Sequence, residues 1–113
     1  MRELPVEFEG RGAMKGFSFR QIAANNYAYI YEKSYPDIPY VSYEVFQRKE
    51  GKTLDGNEDI IMYPREKAFG VWAKDCNNLD RAKYWFEEYT RRGIEKFQNQ
   101  SPVSRIIDDL ATS

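Results

Sequence analysis

Histidine is absent from this 113-residue sequence, and cysteine occurs once, at Cys76. Without histidine there is no Ser–His or Cys–His nucleophile pair, and the side chain that most often shuttles protons is missing. Zinc sites need several Cys or His ligands, which a lone thiol cannot supply. One cysteine also excludes an internal disulfide, which fits a reducing compartment. We therefore expect a cytoplasmic protein that is not an enzyme, with no catalytic residue, metal or cofactor.

Long apolar runs and an excess of one charge are also lacking. The longest strongly apolar stretches, 27–31 and 68–73, are far shorter than a membrane span, and the first residues carry no signal-peptide run. The sequence has 17 basic and 18 acidic residues and a formal net charge of −1. A protein that grips a phosphate backbone usually shows a basic excess or a basic stripe. We therefore expect no membrane contact, and the net charge disfavours nucleic acid as a partner.

Aromatic residues are abundant, with nine Tyr and seven Phe, and 42% of the chain is hydrophobic. Large rings bury much surface per residue, so a chain of this length can build a core without disulfides. The length fits one domain, and no internal repeat divides the sequence. We therefore expect residues 1–113 to form a single domain, strand-rich over 4–75, with helices over 77–97 and 101–111.

Alternation of apolar and polar residues marks the strand-rich part. Turn signals separate the strands: Asn25 and Asn26 suit a tight hairpin, Pro36 and Pro39 restrict a loop, and residues 49–58 are polar. The predicted strands cover residues 6–9, 14–22, 27–32, 40–48, 59–63 and 69–73. A helix over 65–73 is the main alternative to the last of these. Short connections favour an antiparallel meander of about five strands.

The last third of the chain has a helical period. Its first apolar set recurs at steps of 3, 4 and 3, at Leu79, Ala82, Phe86 and Tyr89. This spacing predicts a helix over 77–97, with Gly93 as its stop or kink. A second set follows the i, i+3, i+4, i+7 pattern, at Val103, Ile106, Ile107 and Leu110. A helix over 101–111 is too short to be stable alone in water, so it must dock on its own domain or on a partner. The predicted fold is α+β, an antiparallel sheet with both helices packed on one face.

Tyr27, Tyr29 and Tyr31 share one face of a predicted strand, and smaller apolar residues share the other. The helices can cover only one face of the sheet. If Ile30 and Val45 face the helices, the tyrosines lie on the second face, beside polar residues of neighbouring strands: Ser18, Arg20, Glu44 and Arg48. Such a mixture of aromatic and charged groups is typical of an interface.

The sequence thus predicts one candidate binding surface, formed by Arg20, Tyr27, Tyr29, Tyr31, Glu44 and Arg48. We expect it to mediate self-association or binding of a partner protein, with Tyr29 near its centre. The alternative is that the tyrosines form the core and the smaller residues point outward, since alternating apolar stripes usually face a core.

Cys76 precedes the first predicted helix, where the helix dipole can lower the pKa of a thiol. No base or second cysteine accompanies it in the sequence, so an unreactive residue is the favoured interpretation, either a small buried hydrophobe or a surface residue without a role.

Four segments together have a familiar pattern: residues 43–46 (Tyr-Glu-Val-Phe), Tyr63-Pro64, residues 68–73 (Ala-Phe-Gly-Val-Trp-Ala) and residues 79–86. Over about residues 27–90 the chain resembles small uncharacterised proteins of phages and mobile elements of gut Bacteroidales. Accessory proteins of such elements often bind a host or partner protein. The resemblance implies a role of that class, and we expect a non-enzymatic protein-binding module that acts as an inhibitor or adaptor. One alternative is a single-strand nucleic-acid binder that stacks bases on the tyrosines. The other is an enzyme that depends on carboxylates, which the sequence favours least.

Overall fold

The computed structural model describes residues 3–100. The strands are β1 (Glu7–Glu9), β2 (Ser18–Ala24), β3 (Ala28–Ser34), β4 (Ser42–Gln47), β5 (Glu50–Lys52), β6 (Asp59–Ile61) and β7 (Ala73–Cys76). The α-helix α1 (Leu79–Gln100) follows β7, and short 3-10 helices occupy Gly12–Met14 and Glu66–Ala68.

Five of these strands form one antiparallel sheet in the order β1-β2-β3-β4-β7. The prediction of an α+β fold with a five-stranded antiparallel sheet is therefore confirmed. The first four strands follow a meander. The predicted strand over 59–63 does not enter the sheet, because β6 pairs with β5 as a separate hairpin.

The last predicted strand, over 69–73, was placed too early. A 3-10 helix at Glu66–Ala68 and a left-handed Gly70 (φ 88°) turn the chain at this point. A helix over 65–73, the alternative, is limited to that single short turn. The strand that pairs with β4 begins only at Ala73.

Helix α1 packs on one face of the sheet. Its residues Ala82 and Tyr89 form a buried cluster with Ala28, Ile30 and Val45 of the central strands. The condition set out from the sequence, that Ile30 and Val45 face the helix, is therefore met.

The helix has 22 residues, about 33 Å of length at 1.5 Å per residue. The Asn78 side chain accepts a hydrogen bond from the Arg81 N–H at 2.8 Å and caps its first turn. Gly93 does not stop the helix, which continues for seven residues beyond it. Residues 3–100 contain this one α-helix, and the second predicted helix, over 101–111, lies outside the described residues.

Candidate functional site

Tyr29 and Tyr31 lie on the face of the sheet opposite α1, but they are not exposed. Their accessible fractions are 2% and 0%. Both belong to a second hydrophobic cluster with Phe46, and Phe8 and Tyr63 pack against that cluster. The expectation of an exposed tyrosine ridge centred on Tyr29 is therefore wrong. The physical reason is that the N-terminal segment and the stretch over 61–72 fold over this face.

The hydroxyls of the two buried rings tie down the N-terminal segment. Tyr31 donates a hydrogen bond to the Pro5 carbonyl at 2.6 Å. Tyr29 donates to Glu3 at 3.2 Å, and Arg48 donates to both the Tyr29 hydroxyl (3.0 Å) and the Glu3 carboxylate (2.9 Å). Burial raises the pKa of both tyrosines above the ordinary value. These rings, and Arg48 beside them, hold the fold together.

Tyr27 and Arg20 are separated from that cluster. Tyr27 precedes β3 and packs against Gly93 of α1, on the helix side of the sheet. Arg20 neighbours the buried Phe19 on β2, so it points to the opposite face, where it pairs with Glu32 at 3.3 Å. The six predicted binding residues therefore do not form one surface.

Glu44 is the member of the predicted set with the most unusual surroundings. It is 3% exposed, and the Tyr63 hydroxyl donates a hydrogen bond to its Oε1 at 2.6 Å. Lys33 Nζ lies 3.4 Å from the Oε2 of Glu44 and 3.2 Å from Asp75 Oδ2. Strand register brings these groups together, because Tyr31, Glu44 and Asp75 are cross-strand neighbours on β3, β4 and β7.

The electrostatics of this cluster keep Lys33 charged and Tyr63 neutral. Burial by itself lowers the pKa of Lys33, but the carboxylates of Glu44 and Asp75 outweigh it and raise the pKa above the ordinary value. Burial, followed by the Glu44 carboxylate, raises the pKa of Tyr63 far above its usual range. We name Lys33, Glu44, Tyr63 and Asp75 the polar cluster.

Lys33 also lies at the wall of an open cleft of about 450 Å³. We name it the β3–β4 cleft, because the loop between these strands supplies most of its apolar lining: Tyr35, Ile38, Tyr40 and Val41. Phe17, Ser42 and Asn77 complete the wall. Tyr40 is 75% exposed, and Tyr35 and Ile38 are also exposed.

The cleft wall is ordered by local turn geometry and ring contacts. The Ile38 N–H donates to the Tyr35 carbonyl at 3.2 Å, and Asp37 has a φ of 69°. Proline at the second position and a positive φ at the third are typical of a type II turn. The Tyr35 ring meets Phe17 edge-on at 5.0 Å between centroids.

Gly16 makes this ring position possible. A Cβ there would lie 2.6 Å from the Tyr35 ring, and the φ of 95° is itself suited to glycine. The loop therefore has a defined shape without a helix or a strand.

Sequence reasoning missed Lys33, Tyr63 and the exposed loop residues. Lys33 could have been found, because it continues the period-two series of Tyr29 and Tyr31 onto the same face. The pairing of Tyr63 with Glu44 has no local signal, because these residues are 19 positions apart.

Cys76 is buried in the cluster under α1, and burial raises the pKa of its thiol. Of the two unreactive interpretations, the buried hydrophobe is the one that fits. In the described part of the chain, no group of three or more His, Cys, Asp or Glu side chains is placed to hold a metal ion. Over the same residues, no helix is both long enough and apolar enough to cross a membrane.

No protein-family model matches the chain. Comparisons with curated proteins and with solved structures also give no match. The function must therefore be inferred from the β3–β4 cleft and the polar cluster beside it.

Proposed function

We propose that this protein is a non-enzymatic module that binds another protein through the β3–β4 cleft. The observation that carries the proposal is the exposure of Tyr35, Ile38 and Tyr40 on one ordered loop. Contiguous exposed apolar groups with a polar border are typical of interaction sites, and tyrosine is enriched at them. An ordered loop also loses less conformational entropy on binding than a flexible one.

The polar cluster supports a peptide segment as the bound group. Among the described residues, Lys33 donates to Glu44 and Asp75, so one of its three N–H groups remains for an acceptor such as a backbone carbonyl. Lys33 contributes one positive charge and the two carboxylates contribute two negative charges, so the net charge of the polar cluster is −1. Asp75 is about half exposed. We therefore expect the partner segment to combine an apolar or aromatic side chain with Lys or Arg.

Single-strand nucleic acid remains the alternative function, and two observations count against it. Tyr29 and Tyr31 are buried and cannot stack on bases. Among the described residues, Lys33 is the one charged side chain in the cleft lining, which is far from the basic stripe that grips a phosphate backbone. We propose a role in the cytoplasm as an inhibitor or adaptor, as the resemblance of residues 27–90 to phage and mobile-element proteins implies.

A random-peptide display library tests this proposal without knowledge of the natural partner. The protein is immobilised, enriched peptides are synthesised, and their affinities are measured by fluorescence anisotropy. We expect peptides with an apolar or aromatic residue next to Lys or Arg. Tyr40→Ala should weaken their binding about tenfold or more, the equivalent of about 1.4 kcal/mol. Tyr84→Ala, which removes an exposed tyrosine of α1, is the matched control and should bind as the parent does.

Three results would overturn the proposal: acidic peptides, peptides whose binding is indifferent to Tyr40→Ala, or no enrichment at all. A parallel titration with a single-stranded oligonucleotide at two salt concentrations tests the alternative. Binding that weakens steeply with salt would favour the nucleic-acid function.

A further inference from the structure

A second apolar depression lies on the other side of the molecule, between the β2–β3 turn and α1. Its volume is about 340 Å³. We name it the helix groove. Phe86, Thr90 and Ile94 form its apolar length, and Arg91 and Glu95 lie along its flank. Phe97, one turn beyond Ile94, is also exposed, so the apolar strip continues towards the end of the helix.

We propose that residues 101–113 of the same chain cover the helix groove by turning back along α1. The first support is position. The described part of α1 extends to Gln100, three residues after Phe97, and Pro102 cannot continue the hydrogen-bond pattern of a helix, so the following segment begins close to the open end of the apolar strip. A covering segment that starts there pays little chain entropy to reach the groove.

The second support is the match in length and pattern. The apolar residues of the terminal segment run from Val103 to Leu110, seven positions apart, and Phe97 lies seven positions after Thr90. At 1.5 Å per residue both stretches span about 10 Å if the segment is helical. Its i, i+3, i+4, i+7 spacing gives one apolar side, and the groove offers the complementary surface.

The third support is the order of charges. Going back from the end of α1, the groove flank presents Glu95 first and Arg91 second. The terminal segment presents Arg105 first and the acidic pair Asp108 and Asp109 second. Within α1, Arg91 already pairs with Glu95 at 2.6 Å and with Glu88, and these side chains are about half exposed or, for Glu88, less. A segment running antiparallel to α1 would place Arg105 beside Glu95 and the acidic pair beside Arg91, so it would extend this ion-pair network with opposite charges at both places. This inference is independent of the proposed function.

Cysteine cross-linking in the full chain tests the proposal. Cys76 is buried with a raised pKa, so it should not interfere with introduced thiols. One variant carries Ile94→Cys with Ile107→Cys. The matched control carries Lys96→Cys with Ile107→Cys. Positions 94 and 96 are close in the chain, but about 200° apart around the helix, so the control thiol points away from the groove.

We expect the Ile94→Cys pair to form an intramolecular disulfide about tenfold faster than the control pair, because packing raises the effective concentration of the two thiols. Equal rates would mean that the segment does not pack on the groove. Disulfide-linked dimers in place of monomers would assign the groove to the terminus of a second copy. Either result overturns the proposal.

A second measurement does not depend on the introduced cysteines. Ending the chain after Gln100 should lower the melting temperature, and Ile107→Asp in the full chain should lower it to a similar extent. An unchanged melting temperature in both variants would contradict the proposal. The β3–β4 cleft is untouched by these changes, so its peptide binding should persist.

Discussion

At the scale of single residues, Tyr31 and Tyr29 bury their rings while their hydroxyl groups form hydrogen bonds. Tyr31 has no exposed surface, yet its hydroxyl donates to the Pro5 carbonyl and accepts from Gln21 at 2.9 Å. Its ring stacks on Phe46 with centroids 5.8 Å apart. A buried hydroxyl without partners costs free energy, so these two hydrogen bonds stabilise Tyr31 in the core. Tyr29 follows the same scheme through Glu3 and Arg48.

Truncation of Tyr29 tests this assignment. Tyr29→Ala should lower the free energy of unfolding by about 3–5 kcal/mol, the range for removing a large buried ring. Tyr29→Phe keeps the ring and should cost only about 1 kcal/mol, for the lost hydrogen bonds. Urea unfolding measures both. The exposed Tyr40 is the control, and Tyr40→Ala should change stability by less than about 0.5 kcal/mol. Similar small losses for Tyr29→Ala and Tyr40→Ala would contradict the burial of Tyr29.

At the scale of elements, Gly93 has a packing role in the interior of α1. A Cβ at this position would lie 2.7 Å from both Cβ and Cδ1 of Tyr27. The helix therefore approaches the β2–β3 turn closely only because the side chain is missing. A glycine in a helical sequence predicts a helix stop, because glycine is a poor helix former. At position 93, however, the close contact with Tyr27 explains why the residue is glycine.

A double-mutant cycle on this contact separates helix propensity from packing. In the interior of an exposed helix, Gly→Ala stabilises by about 1 kcal/mol. Gly93→Ala should instead destabilise the protein by about 1 kcal/mol, because overpacking costs about 1–3 kcal/mol. In a Tyr27→Gly background, which also removes the Cβ of residue 27, the same change should become stabilising. Thermal unfolding of the parent, both single variants and the double variant measures the coupling. Additive effects would show that Gly93 and Tyr27 do not constrain each other.

At the scale of the whole molecule, the polar cluster makes the free energy of unfolding fall at alkaline pH. Tyr63 ionises near pH 10 in an unfolded chain, but burial and Glu44 keep it protonated in the fold. Above about pH 10 the unfolded state therefore binds fewer protons than the native state, and stability falls as pH rises. Lys33 acts in the same direction. Its raised pKa gives a contribution that is complete below about pH 10.4, the unfolded value, and is lost as pH rises through the folded value.

We therefore expect the free energy of unfolding to fall with pH above about 10, and Tyr63→Phe should make this fall less steep. One titrating proton accounts for a slope of about 1.4 kcal/mol per pH unit, which is the largest change that the variant can produce. Urea unfolding at a series of pH values gives both slopes. Equal slopes for the parent and Tyr63→Phe would mean that Tyr63 ionises alike in the folded and unfolded chains.

Most of the sheet could be predicted from the sequence. Alternation located the three central strands to within a few residues, and the spacing of Leu79, Ala82, Phe86 and Tyr89 located α1. The hairpin over 50–61 and the entry to β7 could not be predicted. Strand-like composition does not say which partner a strand pairs with, and pairing depends on contacts between distant residues.

The candidate site was less predictable than the fold. The sequence identified Glu44, but not the groups that surround it. It identified the loop with Pro36 and Pro39, yet gave no sign that this loop presents Tyr35 and Tyr40 at the wall of a cleft. The backbone shape of a loop depends on its own residues, whereas the cleft beside the loop is formed by neighbouring strands that are distant in the sequence.

The sequence by itself determined which residues share a face, because period-two alternation is a local property of an extended backbone. It placed Tyr29 and Tyr31 together, opposite Ile30. Only the tertiary structure decided what covers each face. The segment that buries Tyr31 is hydrogen-bonded to it at Pro5, 26 residues away along the chain. The residue pattern of a strand does not show which distant segment will cover it. The tyrosine face is therefore core, and the surface that we propose for a partner lies on the β3–β4 loop instead.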